Sequence, residues 1–460
     1  MSKQLFFDDN KLYAKENLQR RYGKPVCIST YSDGASSTDY ATGYVFRLDS
    51  GRYRMLYVGQ GKDFEGLRLF SAVSVDGVHF SPENLFDGKP FSHEIMTLSP
   101  GTEIGFVYED PRCGGAGRYK LLACEYDAAA LQVTDILYTS PDLINWTRQE
   151  GVPWGDGTEP LISVFYNQHK KVHTVVERPF WGVRCAGFKE TADWKTFTDW
   201  QLCLNVDSTD GDLDEIYGMF AFEYEGMYLG LPHMYRGFDG GLNAKYWGGS
   251  IDTQLAYSYD GRCWNRSLRE PFLTGLPAYQ MLWCLGKQIN GEGDIYLYAA
   301  VTQRAHGDAF RDPGTGKMCV YTLRQDGFVS LATREKDKVA TLATREKIWH
   351  GGELHLNLKA ENATVAVYIV DETEHVEGNA LGFSRPIEGM GHGDCLPFSG
   401  DSKDWVPAFR SGKKIGDLGK STLVFEIKFL NGELFSLAGD FTEVYNTQGA
   451  RYRKYGEIPG

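Results

Sequence analysis

The stretch Ser74-Val75-Asp76-Gly77-Val78-His79-Phe80 decides the fold, because versions of it recur along most of the chain. The pattern is a small hydroxyl residue, an aspartate two positions later and an aromatic residue after the aspartate. The further copies are Ser140–Trp146, Thr191–Phe197, Ser258–Trp264 and the shorter Arg324–Phe328. The aspartates at 76, 142, 193, 260 and 326 are spaced by about 66, 51, 67 and 66 residues, which is typical of a repeat architecture. We therefore predict five repeats.

Each repeat also contains strand and hairpin signals ahead of this marker. Gly-x-Tyr hairpins occur at Gly51–Tyr53, Gly117–Tyr119 and Gly226–Tyr228, between short runs of alternating apolar residues. No long amphipathic helix is evident. Four short strands per repeat cannot bury both faces of one small sheet, so five such sheets are expected to pack around an axis as a five-bladed β-propeller. The marker itself is then an Asp-centred turn followed by an aromatic plug on an outer strand.

The length of 460 residues exceeds that of one ordinary domain. We predict an all-β protein with a propeller over 1–330 and a β-sandwich over 331–460, where segments such as Thr364–Val370 and Ser421–Phe429 alternate as half-buried strands do. A local duplication, Leu331–Lys336 and Leu342–Lys347, is expected to form a hairpin.

Composition restricts the classes of partner. A net charge of −13 argues against nucleic acid or an anionic membrane, and no apolar run is long enough to cross a bilayer. The first residues lack the apolar core of a signal peptide, and nine cysteines occur without a Cys-x-x-Cys pair. We expect a cytoplasmic protein with reduced thiols, no metal and no cofactor, and the edges of the sandwich offer a surface for a homo-oligomer.

Candidate catalytic residues are carboxylates expected at the start of the innermost strands, which converge on one mouth of a propeller. They are Asp39, Asp110, Glu159 and Glu215. Glycoside hydrolysis needs such convergence, since one carboxylic acid protonates the leaving oxygen while a second carboxylate attacks or activates water. Crowding of like charges raises the pKa of one of them, which supplies the acid form.

At this point the chain resembles the superfamily of five-bladed glycosidases that includes invertases, fructan hydrolases, arabinanases and xylosidases. Fructan hydrolases carry the motifs Asn-Asp-Pro-Asn-Gly, Arg-Asp-Pro and Glu-Cys-Pro. The corresponding segments here are Thr38–Gly43, Glu109-Asp110-Pro111 and Glu159-Pro160, of which the second is close, with Glu109 in place of the arginine. Asp214–Met219 is similar to an uncharacterised bacterial branch of the superfamily.

The resemblance implies roles for three of the acids. Asp39 would be the nucleophile or base, Asp110 the transition-state stabiliser or the residue that modulates the pKa of the acid, and Glu159 the acid. Glu215 competes with Glu159 for the role of acid, because it ends an acidic run and leads directly into an apolar strand. Each acid also has a structural alternative as a turn or surface residue, and the acidic run from Asp207 could instead hold calcium, although it lacks the spacing of an EF-hand loop.

Five further residues are candidates for gripping a substrate, because arginine and histidine bind polar groups and tryptophan stacks on sugar rings. They are Arg178, Trp181, His233, Trp247 and His306. The alternatives are an ion pair for Arg178 and a packing role for either histidine.

We expect a glycoside hydrolase that cleaves a small oligosaccharide or glycoside. The same scaffold could carry a glycoside phosphorylase or transglycosidase, for which Arg178, Arg184, Arg236 and His306 could bind phosphate. A non-catalytic carbohydrate-binding propeller is the alternative outside enzymology, because a fold does not dictate function.

Overall fold

The computed structural model of the chain is built almost entirely of β-strands. It describes residues 1–33, 43–60, 67–88, 92–99, 101–127, 132–152, 154, 163–179, 181–237, 248–274, 276, 279–306, 316–370 and 385–444. Within these ranges the helical segments are the 3₁₀ turns Gly115–Gly117 and Ile415–Leu418, and no helix has the length and apolar character needed to span a bilayer. The predicted all-β class is confirmed.

The chain divides into two compact units, here called the ring unit, Lys24–Arg324, and the terminal unit, Met1–Gly23 with Gln325–Gly460. This corrects the predicted domain limits of 1–330 and 331–460, because the first 23 residues belong with the C-terminal part of the chain. The marker repeats begin only after those residues, so their period carried no information about where the N-terminus packs.

The ring unit contains five sets of four antiparallel strands in chain order. Sheet I comprises β5 (Gly43–Arg47), β6 (Tyr53–Gln60), β7 (Leu67–Ser74) and β8 (Ser81–Pro82), with β9 (Glu94–Thr97) beside β7. Sheet II comprises β10 (Thr102–Glu109), β11 (Tyr119–Asp127), β12 (Gln132–Ser140) and β13 (Thr147–Gln149). Sheet III comprises β14 (Ser163–Asn167), β15 (Val172–Glu177), β16 (Ala186–Thr191) and β17 (Gln201–Leu204).

Sheets IV and V complete the set. Sheet IV comprises β18 (Asp214–Tyr224), β19 (Met227–Gly237), β21 (Leu255–Ser258) and β22 (Asn265–Leu268), and β20 (Gly249–Thr253) pairs with β19. Sheet V comprises β23 (Met281–Ile289), β24 (Ile295–Thr302), β25 (Lys317–Leu323) and β4 (Val26–Tyr31). The fourth strand of sheet V therefore comes from the N-terminal side of the ring unit, which closes the series on itself.

The first strands of the five sheets contact one another in a closed series. The Tyr44 hydroxyl on β5 donates to the Gly105 carbonyl on β10 at 2.8 Å, β10 contacts β14, and β18 contacts β23. Ser163 on β14 donates to the Met219 carbonyl on β18 at 2.7 Å, and Gln288 on β23 donates to the Val45 carbonyl on β5 at 2.7 Å. We interpret this ring as a β-propeller, and the blade count of five stays a prediction.

The ring has two mouths. Late residues of three first strands, Glu109, Glu223 and Lys287, line one common pocket, so these strands run in the same direction through the ring. We call this end the exit mouth, and the end at which first strands begin the entry mouth. Between the mouths the rings of Phe106 and Phe220 lie 6.1 Å apart and are buried.

The predicted role of the marker as a turn is observed in sheets I to IV. In sheet II the Asp142 carboxylate accepts hydrogen bonds from the backbone N–H groups of Ile144 and Asn145, and Ser140 Oγ accepts from the N–H groups of Asp142 and Leu143. The residue after the aspartate adopts positive φ in every such turn, which explains the glycine at Gly77 and Gly261. Asp326 differs, because it lies in the terminal unit and accepts from Lys3.

The terminal unit is an eight-stranded network. Its strands are β1 (Ser2–Gln4), β2 (Leu12–Glu16), β3 (Leu18–Tyr22), β26 (Val329–Thr333), β27 (Ala340–Thr344), β28 (Lys347–Ile369), β29 (Phe398–Trp405) and β30 (Ser421–Glu443). The two longest strands, β28 and β30, pair with each other along a stretch that begins with Thr364 opposite Lys428 and ends with Ile369 opposite Leu423. A buried apolar cluster fills it, with Trp349 stacked on Phe441 at 5.9 Å. The sandwich itself stays a prediction.

The duplicated segments do not form the predicted hairpin. β26 pairs with β3 and β30, while β27 pairs with β2 and β30. The long strand β30 therefore lies between the two copies. Their similar sequences reflect similar positions beside a common strand rather than mutual pairing.

Candidate active site

Of the four predicted acids, the structure places Glu215 at the entry mouth. Glu215 is the second residue of β18. Asp39 precedes β5 in the sequence and Glu159 precedes β14, but both lie outside the described residues, as does Trp247. The geometry of the site is therefore built around Glu215.

Glu215 is buried, with 6% of its surface exposed, and is held by Arg184. The Arg184 guanidinium donates to Glu215 Oε2 at 2.6 Å, and the Arg184 backbone N–H points to Oε1 at 3.4 Å. Arg184 belongs to the connection between β15 and β16, so sheet III supplies the cation and sheet IV the carboxylate. Because both oxygens of Glu215 face donors on Arg184, this arrangement suits a carboxylate that acts as base, nucleophile or anion.

Aromatic rings form the wall of the same site. The rings of Tyr217 and Tyr235 are stacked with centroids 5.9 Å apart, and the Arg184 guanidinium lies 4.8 Å from the Tyr235 centroid. Arg178 lies over Tyr217 at 4.7 Å. The Tyr217 hydroxyl and His306 Nε2 are 2.8 Å apart, which links sheet IV to the segment that follows β24 of sheet V. Charged, aromatic and imidazole groups from three sheets thus meet at one place.

A β-bulge positions Tyr217. Residue pairing between β18 and β19 shifts between Ile216 and Gly218, which places Tyr217 in the bulge, whereas Glu215 pairs with Tyr235. A bulge re-aims a side chain and bends its strand, and bulges are frequent beside active sites. Here the bulge allows Tyr217 and Glu215 both to face the groups from sheet III.

A second buried acid at the entry mouth was missed in the sequence. Asp33 follows β4 and accepts a hydrogen bond from the Tyr57 hydroxyl at 2.6 Å, while His93 Nε2 lies 3.1 Å from the same oxygen. Burial raises the pKa of Tyr57 far above its ordinary value, so its hydroxyl keeps the proton that it donates. Asp33 lies between Ser32 and Gly34 in an ordinary turn sequence, and no pattern distinguished it.

Asp110 was predicted at the entry mouth, and this prediction is wrong. β10 ends at Glu109, so Asp110 follows the first strand of sheet II and lies at the exit mouth. Its buried carboxylate accepts from Lys120 Nζ at 2.6 Å and from Trp194 Nε1 at 3.2 Å. Burial would raise the pKa of Asp110, but the hydrogen bond from Lys120 holds it below its ordinary value. The apolar run that forms the strand precedes Asp110, and Pro111, which lacks a backbone N–H, ends it.

His233 was predicted to bind substrate, and the structure makes it a packing residue instead. It is 1% exposed within β19, and its Nε2 donates to the Cys284 carbonyl of β23 at 2.9 Å. Burial lowers the pKa of His233 to about 4. His233 is therefore a neutral residue that joins sheets IV and V through this hydrogen bond.

The remaining predicted binding residues lie at the entry mouth. Arg178 and His306 are buried in the cluster around Tyr217. Trp181 belongs to the same connection as Arg178 and Arg184 and is 43% exposed. This places an accessible indole on the chain segment that holds the carboxylate of Glu215.

The acidic run before β18 is neutralised by arginines. Asp210 binds Arg266 through both carboxylate oxygens at 2.6 Å, and Asp207 binds Arg269 at 2.6 Å. Within the described ranges no group of three or more acidic, histidine or cysteine side chains could hold a metal ion. The run anchors the start of β18 and thereby supports Glu215.

Comparison with known proteins finds distant similarity to solved structures. No protein-family model matches the sequence, and neither does any curated protein. A glycosyl hydrolase from Bacteroides ovatus is 14% identical with a TM-score of 0.42, over 65% of this chain and 94% of that one. An N-acetylgalactosamine deacetylase from F. plautii is 13% identical with a TM-score of 0.42, over 67% and 96%.

A third structure concerns the GH130 family of mannoside phosphorylases, which contains glycoside hydrolases that target β-1,2 mannosidic linkages in Candida mannan. It is 15% identical to this chain with a TM-score of 0.41, over 67% of this chain and 94% of that one. The solved structures that the chain resembles thus include glycoside hydrolases. At this distance they assign no substrate and no catalytic residue.

Proposed function

We propose that this chain is a glycoside hydrolase that cleaves a small oligosaccharide or glycoside at the entry mouth. The observation that carries the proposal is the buried Glu215–Arg184 pair beside Tyr217 and His306, where β18 enters the ring. Groups from three sheets form this constellation, which is how propellers build a concave site. The exposed indole of Trp181 offers a flat apolar surface for a sugar ring.

In this proposal Glu215 acts as the charged carboxylate and not as the acid. A general acid must present a proton to the leaving oxygen, whereas both oxygens of Glu215 face Arg184. Asp39 and Glu159 remain the candidates for the second carboxylate, with Glu159 as the proton donor, and Asp33 joins them. A carboxylate pair would protonate the glycosidic oxygen and attack the sugar or activate water.

Two of the arginines considered for phosphate binding are already paired with carboxylates, which favours hydrolysis over phosphorolysis. A phosphate ion would need guanidinium groups that are available to it, yet Arg184 is paired with Glu215, and Arg236 with Asp214 and Asp252. Water as the acceptor needs no such cation.

The test is turnover of a panel of aryl glycosides by the full chain, with and without inorganic phosphate. We expect phosphate-independent release of the aryl group. Glu215→Gln should lower kcat/KM at least about 100-fold, as expected for removal of a group that acts on protons or charge in the reaction. Glu223→Gln is the matched control, because Glu223 lies on the same strand at the exit mouth, and it should leave turnover nearly unchanged.

Three results would reject the proposal. Full activity of Glu215→Gln would remove Glu215 from the mechanism. Strict dependence on phosphate would make the enzyme a phosphorylase. Saturable sugar binding without turnover of any glycoside would favour the non-catalytic propeller.

A further inference from the structure

The exit mouth contains a pocket that the proposed reaction does not use. Its volume is about 540 Å³, and sheets II to V all contribute to its lining. Its wall includes the aromatic side chains of Tyr108, Phe165, Tyr166 and Phe222 beside polar and charged groups. Ligand sites typically have volumes of about 300–1,000 Å³.

Lys287 is the polar group that distinguishes this pocket. Its Nζ lies 5.1 Å from the ring centroid of Phe222 and 5.6 Å from that of Tyr224. Its hydrogen bond is to the Glu223 carbonyl at 3.3 Å, and no carboxylate of the described residues lies within ion-pair distance of it. Burial lowers the pKa of Lys287, although the charges of Glu223 and Glu225 oppose this. The ammonium group is therefore poorly compensated.

The acids around the pocket, in contrast, have donors of their own. Glu109 accepts from Arg118 at 3.0 Å, Asp110 from Lys120 at 2.6 Å, and Glu223 from the Gly226 backbone N–H at 2.9 Å. A second cation stands at the edge, since the Arg112 guanidinium donates to the Tyr166 hydroxyl. Among the residues that the structure describes, no carboxylate side chain pairs with that guanidinium. Among the described residues, Lys287 and Arg112 are therefore cations at this mouth without a paired carboxylate.

We propose that the exit mouth is a second ligand site that binds a small organic anion. A carboxylate or phosphate group of the ligand would bind Lys287, and an apolar or ring face of the ligand would pack against Phe222 and Tyr166. The site lies at the opposite end of the ring from Glu215, so the proposal does not depend on the reaction proposed for the entry mouth.

The test is isothermal titration calorimetry of the full chain with two anionic probes and one neutral probe. Glucuronate carries a carboxylate, glucose 6-phosphate carries a phosphate, and glucose carries neither. We expect saturable binding of at least one anion and none of glucose. Lys287→Met keeps an unbranched side chain without the charge and should weaken anion binding at least tenfold, whereas Lys287→Arg should retain most of it.

Two further measurements locate the ligand. Bound anion should slow reductive methylation of Lys287, as read by peptide mass spectrometry, and Glu215→Gln should bind the anion as the wild type does. If Lys287→Met fails to fold, Arg112→Gln, at the exposed edge, should still weaken binding. The proposal is overturned if neither anion binds, if folded Lys287→Met binds undiminished, or if Glu215→Gln abolishes binding, since the anion would then occupy the entry mouth.

Discussion

The two mouths of the ring use charged residues in opposite ways. At the entry mouth, Glu215, Arg184 and His306 come from different sheets and meet beside stacked tyrosines at a bulge. At the exit mouth, Asp110 is surrounded by Lys120 and Trp194 and serves the packing of sheets II and III. An acidic residue next to a strand does not by itself identify a catalytic site. The groups that surround the acid depend on which end of the strand it occupies.

The largest expected difference between the mouths is in stability. Asp110→Asn should lower the free energy of unfolding by about 3–5 kcal/mol, because it leaves the buried ammonium of Lys120 without its carboxylate. The folded fraction should retain glycosidase activity. Urea unfolding followed by tryptophan fluorescence measures the first quantity, and turnover per folded molecule the second.

Asp49→Asn supplies the control for that experiment. Asp49 pairs with Arg118 near the same mouth, but its side chain is 83% exposed. Its removal should leave the urea midpoint unchanged, because exposed ion pairs contribute little. If both variants unfold at the wild-type urea concentration, the buried pair does not hold the exit mouth together.

Low pH should destabilise the packing at the exit mouth. His173 lies 3.6 Å from Asp110 and accepts from or donates to the Tyr108 hydroxyl at 3.1 Å, and burial lowers its pKa to about 4. Between about pH 6.5, the ordinary pKa of histidine, and about pH 4, His173 is protonated in the unfolded chain but neutral in the folded chain. Stability should therefore fall as pH falls through this window, by up to about 3 kcal/mol for such a shift.

His173→Asn tests the source of that acid sensitivity, since asparagine can replace the ring as a neutral hydrogen-bonding group. The free energy of unfolding, measured in urea between pH 7 and pH 4, should decline less steeply in the variant than in the wild type. Lys120 and Arg112 oppose the protonation of His173 in the fold, while Asp110 favours it. Equal slopes in the two proteins would assign the acid sensitivity to other groups.

The smallest expected effect concerns the entry mouth. Tyr217→Phe removes the hydroxyl that lies 2.8 Å from His306 Nε2 but keeps the ring under Arg178. Loss of this hydrogen bond should lower the free energy of unfolding by about 0.5–1.5 kcal/mol, and the weaker positioning of His306 should reduce kcat/KM by about tenfold or less. A large loss of stability with unchanged kinetics would place Tyr217 in the packing of the ring instead of in the site.

The marker motif shows which parts of the fold were open to prediction. Ser140, Asp142 and the residues after them close a turn through contacts within a few positions of one another, so their spacing alone predicted the turns observed in sheets I to IV. The number of repeats stays a prediction, since the fifth marker, at Asp326, lies in the terminal unit. Arg178 and His306 were chosen as binding candidates because their residue types suit the chemistry, and that role stays a prediction. Asp110 was assigned to the wrong end of its strand. Asp33 was overlooked because its partners, Tyr57 and His93, lie 24 and 60 residues away in the sequence.

The amino-acid sequence by itself determined the all-β class and the turns of the marker, because turn chemistry and alternation of apolar residues act between close neighbours in the chain. Only the tertiary structure decided that β4 completes sheet V, that residues 1–23 join the terminal unit, and that Arg184 meets Glu215. These outcomes depend on which distant strands pair and on which end of the ring each strand begins. Local sequence carries no record of either, since a strand has the same pattern of side chains in both directions.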